Sequence, residues 1–570
     1  MEVKNMKKTP YLVAITLFIA GLMMTSTGVV GTLKNNITQK TNVGIPISDV
    51  AVTEATMPLQ KMPMAPSTPS ETLSRGTDTL IFSSANTNQN PGIATDGLGN
   101  ILVLTEDTDG STTNLFGRWS TDSGTTWADD SQVSGWPFTT KPTKPELDYY
   151  GSGRQAWGTM VPGFDESGTA YYIGLPDITD PTVTNPNNPD GWSAWTVDWG
   201  TSQLGLTNID SSDVACYSNT SHIPSPEFFG VVALTADNAY TGWEQDNTLL
   251  FSYFVAGGQS QIIFFNMDTE DVFNIKSDID QTNGRFYMVM DYQNSATLAD
   301  GSEIMYTTVT TSTTWWQSGW GGLYFPGIFN PDIVTDNKHC YIVGEVDNAG
   351  QRDIVCLHSS NNGGSFTQSS VTSEVASETN PTVTLAQTED GVILVCSYVR
   401  DGDLYISTSS DGGATWAEQA NPINDVAGTV VDQYNTASLD GSYAVWTDSR
   451  NTPTEIYFDT SVAPPKNPVL DITSIKGGTK ISATVSNTGD AAATNVEWTM
   501  KVTGGILKRI NKTYTDTIPT LAIAGQETIQ STGLILGLGP IVITISATCD
   551  EGASKQVSSS GKVLIFFIKI

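Results

Sequence analysis

Histidine and cysteine are the residue types in this sequence best suited to binding a transition metal, and both are scarce. His339 and Cys340 precede Cys356 and His358 by a distance that one hairpin could close, which would bring four potential metal ligands together. Consecutive residues of a strand point to opposite faces, however, so either His339 or Cys340 would be turned away. We therefore expect no metal site at this hairpin.

Carboxylates are the most abundant ionisable groups, with 60 Asp and Glu against 27 Lys and Arg and a net charge of -33. A pair of carboxylates can hydrolyse a glycoside, but acids spread evenly along the chain single out no pair. The segment DTDGSTTN, residues 107–114, loosely matches a calcium loop. Calcium is therefore the one cofactor left open. Solubility of an exposed protein is the simpler explanation of the acidic composition. So acidic a chain repels phosphate backbones, so we expect no nucleic-acid partner.

Four tryptophans lie in segments that read as loop insertions, three of them in PNNPDGWSAWTVDWG. Exposed aromatic rings can stack on sugars or anchor a protein partner. The alternative is that they pack the insertions onto the body of the protein. The candidate ligand-binding residues are Trp192, Trp195, Trp199 and Trp320.

The pattern Ser-x-Asp-x-Gly-x-Thr-Trp occurs at residues 120–127 and 409–416, with a softened copy at 359–366. Ser and Asp side chains can accept bonds from nearby backbone N–H groups in a tight turn. Glycine supplies a positive φ, and the tryptophan can bury roughly 200 Å² between sheets. None of these roles needs a substrate, so we interpret the pattern as a structural turn. Its residues are Ser120, Asp122, Gly124, Trp127, Ser359, Asn361, Gly363, Phe366, Ser409, Asp411, Gly413 and Trp416.

The turns belong to a larger repeat that must position them. Units open with a Pro-bearing turn, as in NPDIVTDNKHCYIVGEV from Asn330, and continue into an apolar strand and a hairpin partner. A period near 50 residues predicts an all-β propeller over residues 78–463. Seven blades are favoured, with six or eight as alternatives. The early strand DTLIFSS, residues 78–84, can complete the last sheet and close the ring.

Residues 467–570 follow the linker PPKNP and read as a second β domain. KISATVSN alternates apolar and polar residues, as does VEWTMKV after a short connection. Period-2 runs of this kind predict an immunoglobulin-like β-sandwich.

The N-terminus predicts export. Residues 1–32 combine early lysines, a short apolar core and small residues, which is typical of a signal peptide or signal anchor. Residues 33–77 lack periodic apolar positions and predict a disordered stalk. We expect an extracellular or cell-surface protein whose membrane anchoring, if any, is through the N-terminus only. The five cysteines predict buried, unpaired thiols rather than a disulfide framework.

The repeated turn resembles the Asp-box, or bacterial neuraminidase repeat, of the sialidase superfamily. That resemblance implies a propeller in which the box joins the outer two strands of a blade, away from the central pocket. The segment VSNTGDAAATNVEW is similar to adhesion-related sandwich modules of prokaryotic surface proteins. Both resemblances agree with a surface protein but do not specify an activity, because the Asp-box also occurs in proteins that are not enzymes.

Sialidase activity would imply three arginines that hold a substrate carboxylate, a Tyr–Glu nucleophile pair and an Asp acid/base. The Arg-Ile-Pro motif expected before the first box is missing, and the candidates for an improvised triad are Arg154, Arg285 and Arg400. We therefore expect a non-catalytic protein that binds glycan or protein ligands. The alternatives are an exo-glycosidase of sialidase type with a diverged site, and a structural envelope protein.

Overall fold

The computed structural model describes residues 77–129, 131–132 and 142–150, isolated strands at 43–46, 51–54 and between 155 and 266, and residues 271–462 and 468–570, with short gaps at 98, 294–299, 311–318, 373, 389–390, 490 and 551. Apart from one 3-10 turn at Ile506–Lys508, the described elements are strands. No helix in these ranges is long and apolar enough to cross a membrane.

Up to residue 462 the described strands form seven sheets, each with four antiparallel strands, and two of the sheets also have a fifth strand. We number the sheets 1 to 7 along the chain. The first three sheets have these strands: sheet 1, Thr87–Thr95, Ile101–Thr108, Thr113–Ser120 and Ser131–Gln132; sheet 2, Pro142–Tyr150, Gln155–Pro162, Thr169–Gly174 and Ser193–Asp198; sheet 3, Asn208–Tyr217, Phe229–Asp237, Thr248–Val255 and Gly258–Asn266.

Sheets 4 to 6 repeat the same connection, whereas sheet 7 takes its fourth strand from an earlier part of the chain. Their strands are as follows: sheet 4, Asp271–Ile279, Arg285–Gln293, Gly301–Thr308 and Gly321–Pro326; sheet 5, Ile328–Asp336, His339–Asn348, Gln351–Ser359 and Thr367–Ser370; sheet 6, Glu378–Thr388, Gly391–Arg400, Asp403–Ser409 and Ala417–Glu418; sheet 7, Ala437–Asp440, Tyr443–Asp448, Glu455–Thr460 and the early strand Thr79–Phe82.

The first strands of these sheets form a closed cycle. Each contacts the first strand of the next sheet, and the first strand of sheet 7 contacts that of sheet 1. Radially arranged meander sheets joined in this way form a β-propeller, as the sequence predicts.

The ring is closed by the early strand, which confirms the role predicted for DTLIFSS. Thr79–Phe82 pairs antiparallel with Glu455–Thr460 and buries Ile81 and Phe82. Just before this strand, the Asp78 carboxylate accepts a hydrogen bond from Arg450 Nη2 at 2.5 Å. Residues that are more than 370 positions apart in sequence therefore hold the last sheet together.

Two further strands fall within residues 33–77, for which the sequence predicts a stalk without structure. Val43–Pro46 pairs in parallel with the fourth strand of sheet 3, and Ala51–Glu54 with that of sheet 4. Outer strands of a blade offer unpaired backbone groups, so a short segment can add to them. The rest of this range and the predicted signal segment lie outside the described residues.

A bulge recurs in the first strand of sheets 1 to 6. In five of them the extra residue has a positive φ near 50°: Asn90, Lys144, Asn274, Asn330 and Asn380. Asparagine tolerates this left-handed conformation better than most residues. The Asn-Pro openings that the sequence presents as turns are therefore bulges inside the innermost strands.

Residues 468–570 form two sheets around a separate core. The three-stranded sheet has Leu470–Lys476, Ser482–Asn487 and Gln526–Gln530; the five-stranded sheet has Ala493–Gly504, Ile510–Leu521, Gly537–Thr548, Ser554–Ile565 and Phe567–Lys569. The predicted alternation is confirmed: Ile481, just before the strand Ser482–Asn487, and Ala483 and Val485 on it are all buried, as are Val496 and Met500 on another strand. The five cysteines are buried and unpaired, as predicted.

Candidate functional site

First strands from all seven sheets line a small cavity of about 150 Å³ at the ring axis. Its lining is unusually acidic and includes Glu146, Asp148, Asp213, Asp278 and Asp332, with Asp440 contributed by sheet 7. Ligand pockets for small molecules usually measure about 300–1,000 Å³. The cavity is therefore small for a sugar, and its carboxylates need another explanation.

The axial carboxylates accept hydrogen bonds from the backbone of the following sheet. Each bond joins one carboxylate oxygen to a backbone N–H on the neighbouring first strand. The pairs are Asp148 with Cys216 at 2.6 Å, Asp213 with Ser277 at 2.5 Å, Asp278 with Thr335 at 2.6 Å, Asp332 with Val383 at 2.7 Å and Asp440 with Thr95 at 2.7 Å. These acids therefore join one blade to the next, including sheet 7 to sheet 1.

Burial at the axis disfavours the ionised form of these acids. It raises the pKa of Asp213 to about 8, those of Asp278 and Asp332 to about 6, and that of Asp440 to about 7. Neighbouring carboxylates add to the effect, whereas the backbone N–H bonds oppose it. Asp213 and Asp440 therefore retain a proton closer to neutral pH than ordinary aspartates do.

One lysine offsets part of this negative charge. Lys276 Nζ lies 2.6 Å from Glu146 Oε1, which also accepts a bond from Asn435 at 3.0 Å. Burial alone would lower the pKa of Lys276, but Glu146 and nearby acids raise it well above its usual value. Lys276 also lies over the ring of Tyr434, with its Nζ 5.8 Å from the ring centroid.

A second set of buried acids lies one strand further out and stabilises the bulges. Glu106, Asp291 and Glu345 end the apolar runs of their second strands and are almost fully buried. Glu345 accepts a bond from the Asn330 side chain of its own sheet at 2.7 Å and from the Asn380 backbone N–H of the next sheet at 2.8 Å.

Asp291 repeats the arrangement with side-chain and backbone donors from two sheets. Glu106 does the same with its own bulge asparagine and the backbone N–H of the bulge residue in sheet 2. Sequence reasoning missed this set. Its only signal is an acid directly after an apolar run, as in VLTED, VMDY and VGEV.

The recurring Ser-x-Asp turns lie between the third and fourth strands of sheets 1, 5 and 6. In the first copy, Ser120 Oγ donates to Asp122 at 2.8 Å and accepts from the Gly124 N–H at 2.9 Å, while Asp122 accepts from the Thr126 N–H at 2.8 Å. Gly124 has a φ of 81°. The two other copies repeat these bonds within 0.2 Å.

The aromatic residue that ends each turn packs against the preceding sheet. Trp127 makes an edge contact with Phe458 at 5.0 Å between ring centroids, and Phe366 does so with Phe325 at 5.3 Å. Trp416 is buried and its Nε1 donates to Ser369 Oγ at 3.2 Å. These side chains act as wedges between blades and do not line the axial cavity.

The structure does not bring the described candidate arginines together. Arg285 begins the second strand of sheet 4, where its guanidinium lies 4.2 Å from the Tyr306 ring centroid. Arg400 ends the second strand of sheet 6. Equivalent strands of nine or ten residues are roughly 30 Å long, so the two arginines lie at opposite faces of the ring. Arg154 lies outside the described residues.

Arg400 has a rich local environment. Its Nη2 lies 2.6 Å from Glu418 Oε1, its Nη1 lies 3.4 Å from Glu378 Oε1, and its guanidinium stacks on Tyr405 at 3.8 Å. Tyr398 donates to Glu418 at 2.7 Å. A tyrosine, a glutamate and an arginine therefore meet, but Glu418 belongs to the outermost strand of the blade.

The remaining predicted positions are distributed as follows. Trp320 is half-buried beside the fourth strand of sheet 4, and Trp192, Trp195 and Trp199 have side chains outside the described residues. His339 Nδ1 lies 2.9 Å from His358 Nε2, and both rings stack with Tyr341. Among the described residues no group of three or more His, Cys, Asp or Glu is arranged to hold a metal ion.

The segment considered as a calcium loop is a hairpin connection in sheet 1. Asp107 accepts from Ser84 Oγ at 2.5 Å and from Asn86 Nδ2 at 2.6 Å. Asp109 accepts from the backbone N–H groups of Ser111 and Thr112, both at 2.7 Å. These carboxylate oxygens accept hydrogen bonds from protein donors. Calcium at this loop stays a prediction.

Comparison with known proteins assigns no family. No family model matches the sequence, and no curated protein matches it. The solved structures it resembles include a Trypanosoma rangeli sialidase in complex with sialic acid, at 10% identity and a TM-score of 0.35 over 88% of this chain and 91% of that chain.

Others are a PL25 ulvan lyase, at 11% identity and a TM-score of 0.39 over 67% of this chain and 96% of that one, and the α-L-arabinofuranosidase PaAbf62A from Podospora anserina, at 13% identity and 0.27 over 50% and 95%. TM-scores below 0.5 do not establish a shared fold. The propeller therefore rests on the strand order and the closed cycle of contacts.

Proposed function

We propose that this chain is an exported, non-catalytic propeller that binds a glycan or protein ligand at the cell surface or outside the cell. In this proposal the seven sheets are seven blades, the Ser-x-Asp turns are Asp-boxes, and residues 467–570 are an immunoglobulin-like module. The observation that carries the proposal is the use of the axial carboxylates as acceptors for the backbone N–H groups of the next blade.

Hydrolysis of a glycoside requires carboxyl groups that are available to the scissile bond and the attacking group. Five axial acids are instead occupied in joining blades. Arg285 and Arg400 lie at opposite faces of the ring. The two residues therefore cannot together bind the carboxylate of one sugar. A binding role, which needs only surface loops, is compatible with both observations.

The alternative of an exo-glycosidase of sialidase type is favoured by one cluster. Tyr398, Glu418 and Arg400 supply a Tyr–Glu pair beside an arginine. In that alternative the reaction would occur at the rim of blade 6 rather than at the ring axis.

A glycan array probed with the full-length chain tests the proposal. We expect retention of a defined glycan class without release of free sugar. Candidate contacts are Trp192, Trp195, Trp199 and Trp320, and a Trp320→Ala variant measures the contribution of the one whose side chain is described. Release of free sugar from any arrayed glycan would contradict the proposal.

A further inference from the structure

The β domain at residues 468–570 exposes large apolar side chains at one end of its five-stranded sheet. We call six of them the apolar tip: Ile506, Leu507, Leu538, Ile565, Phe566 and Phe567. Leu507 is 77% exposed and Ile565 is 62% exposed. Of the described residues before 463, only four large apolar side chains are exposed to a comparable degree, and they lie on separate sheets or loops.

The apolar tip is continuous in space because three chain segments meet there. Leu538 faces Leu564 across the sheet, and Leu564 in turn faces Phe567 across the final hairpin. Gly539 lies against Ile506, since a Cβ added to this glycine would come within 3.1 Å of the Ile506 nitrogen. Contiguous apolar patches of this kind are rare on soluble monomers and mark interaction surfaces.

The local backbone turns these side chains outward. Leu507 and Ile565 have φ values of 58° and 66°, a region that branched and bulky residues seldom adopt. Both residues lie within hairpin connections, at 504–510 and 564–567. These apolar side chains are therefore exposed at the turning points of two hairpins.

Basic residues lie beside the apolar tip on one face of the sheet. Lys501, Lys508, Lys562 and Lys569 line one groove on the outer face of the five-stranded sheet, and Arg509 is next to Lys508. None of the described carboxylates forms an ion pair with these five residues. The contrast with the rest of the chain is large, because residues 468–570 hold nine Lys and Arg against seven Asp and Glu in a protein of net charge -33.

We propose that the apolar tip inserts into the interface of an anionic lipid bilayer, with the neighbouring lysines and arginine against the lipid phosphates. Apolar side chains at the headgroup boundary and basic residues around them are the two components of interfacial membrane binding. The surface is separate from the ring and from the N-terminal segment through which the sequence predicts anchoring.

A second copy of the chain is a poorer occupant of the same surface. Pairing two tips would bring Lys508, Arg509 and Lys562 of both copies close together, and like charges oppose such contact. Pairing a tip with the acidic propeller would satisfy the charges but not the apolar side chains, because the exposed apolar residues of the described blades are scattered. An anionic bilayer satisfies both components at once.

The test places an environment-sensitive fluorophore on the tip of the full-length chain through Leu507→Cys, which is accessible whereas the five native cysteines are buried. Val392→Cys, exposed on sheet 6, is the matched control. Vesicles contain either phosphatidylcholine alone or phosphatidylcholine with phosphatidylglycerol. We expect a blue shift of the Leu507→Cys probe with anionic vesicles only, and no shift of the control probe.

Charge dependence is the second arm. Since each basic residue near an anionic surface strengthens binding several-fold, K508Q/K562Q should lower the vesicle partition coefficient by roughly 25-fold. A tip probe that does not respond to anionic vesicles would overturn the proposal, even if the chain adsorbs through its N-terminus. So would a shift that grows with protein concentration in the absence of lipid, which would indicate self-association, or full binding by K508Q/K562Q.

Discussion

At the scale of single residues, the same side-chain type has two different electrostatic roles in this protein. Burial weakens the ionisation of Asp122 and Asp411, but hydrogen bonds from their own turns outweigh it and hold the pKa values of both acids below their usual range. Asp440 at the axis is half-buried, and desolvation together with nearby acids raises its pKa. Position in the fold therefore decides whether an aspartate prefers its charge.

The Ser-x-Asp turn of sheet 6 provides the first prediction. Asp411→Ala removes the acceptor of the Thr415 N–H and should cost about 1 kcal/mol of unfolding free energy. Asp411→Asn should cost less than about 0.5 kcal/mol, because Asn361 makes the equivalent bonds in sheet 5. Urea denaturation at pH 7 measures both variants, and equal losses would show that the turn does not work as described.

The axis provides a prediction about how stability depends on pH. The expected dependence has the opposite sign to that of Asp122 and Asp411. Because the pKa of Asp440 is about 7 in the folded chain against an ordinary value of 3.8, its folded form binds a proton more tightly than its unfolded form. The contribution of Asp440 to the unfolding free energy is greatest below about pH 4 and is lost as pH rises through 7.

Asp440→Asn keeps an oxygen for the Thr95 N–H and never ionises. The variant should match the parent protein near pH 4 and exceed it at pH 8 by an unfolding free energy on the order of 1–2 kcal/mol. Thermal denaturation across this pH range checks the sign. Asp411→Asn is the control, because its pKa shift is in the other direction and its stability relative to the parent should not improve at pH 8.

At the scale of elements, the strand that closes the ring, Thr79–Phe82, gives the clearest prediction. Phe82→Ala removes a fully buried ring from Thr79–Phe82 and should lower the unfolding free energy by about 3–5 kcal/mol. Leu80→Ala on the same strand removes a side chain that is 42% exposed and should cost less than about 1 kcal/mol. Similar losses in chemical denaturation would mean that this strand does not complete sheet 7.

The sequence predicted these elements unevenly, for physical reasons. Strands with regular alternation, such as those of residues 481–502, and the turns at 120–127 and 409–416 follow from local chemistry and were found. The Asn-Pro openings at Asn90 and Asn330 predict turns, whereas the structure places both asparagines in bulges. Each bulge asparagine donates to an acid on the neighbouring strand, Glu106 or Glu345, and a local sequence pattern does not show that partner.

The buried acids Glu106, Asp291 and Glu345 could not be found from the sequence, since their donors come from neighbouring blades. An acid buried by a distant strand looks the same in sequence as an acid on the surface. The pairing of residues 43–46 and 51–54 with sheets 3 and 4 was missed for the same reason, because an open sheet edge exists only in the folded protein.

At the scale of the whole molecule, two separate cores predict two cooperative units. Residues 470–568 form one core cluster, while the blades build their own clusters from neighbouring sheets. Scanning calorimetry of the full chain should show two transitions, because separate domains unfold independently unless a large interface couples them. Ile545→Ala should lower only one midpoint and Phe82→Ala only the other. A single transition lowered by both variants would contradict the two-domain division.

The claim at the centre of this account is that the carboxylates of the propeller hold blades together and do not catalyse hydrolysis. The most direct test is incubation of the full-length chain with fluorogenic sialosides and other glycosides, beside a Glu418→Gln variant that removes the acid of the Tyr398–Glu418–Arg400 cluster. The account predicts no release of fluorophore by the parent chain above the level of the variant. Turnover by the parent chain that Glu418→Gln abolishes, in a variant that still folds, would contradict it.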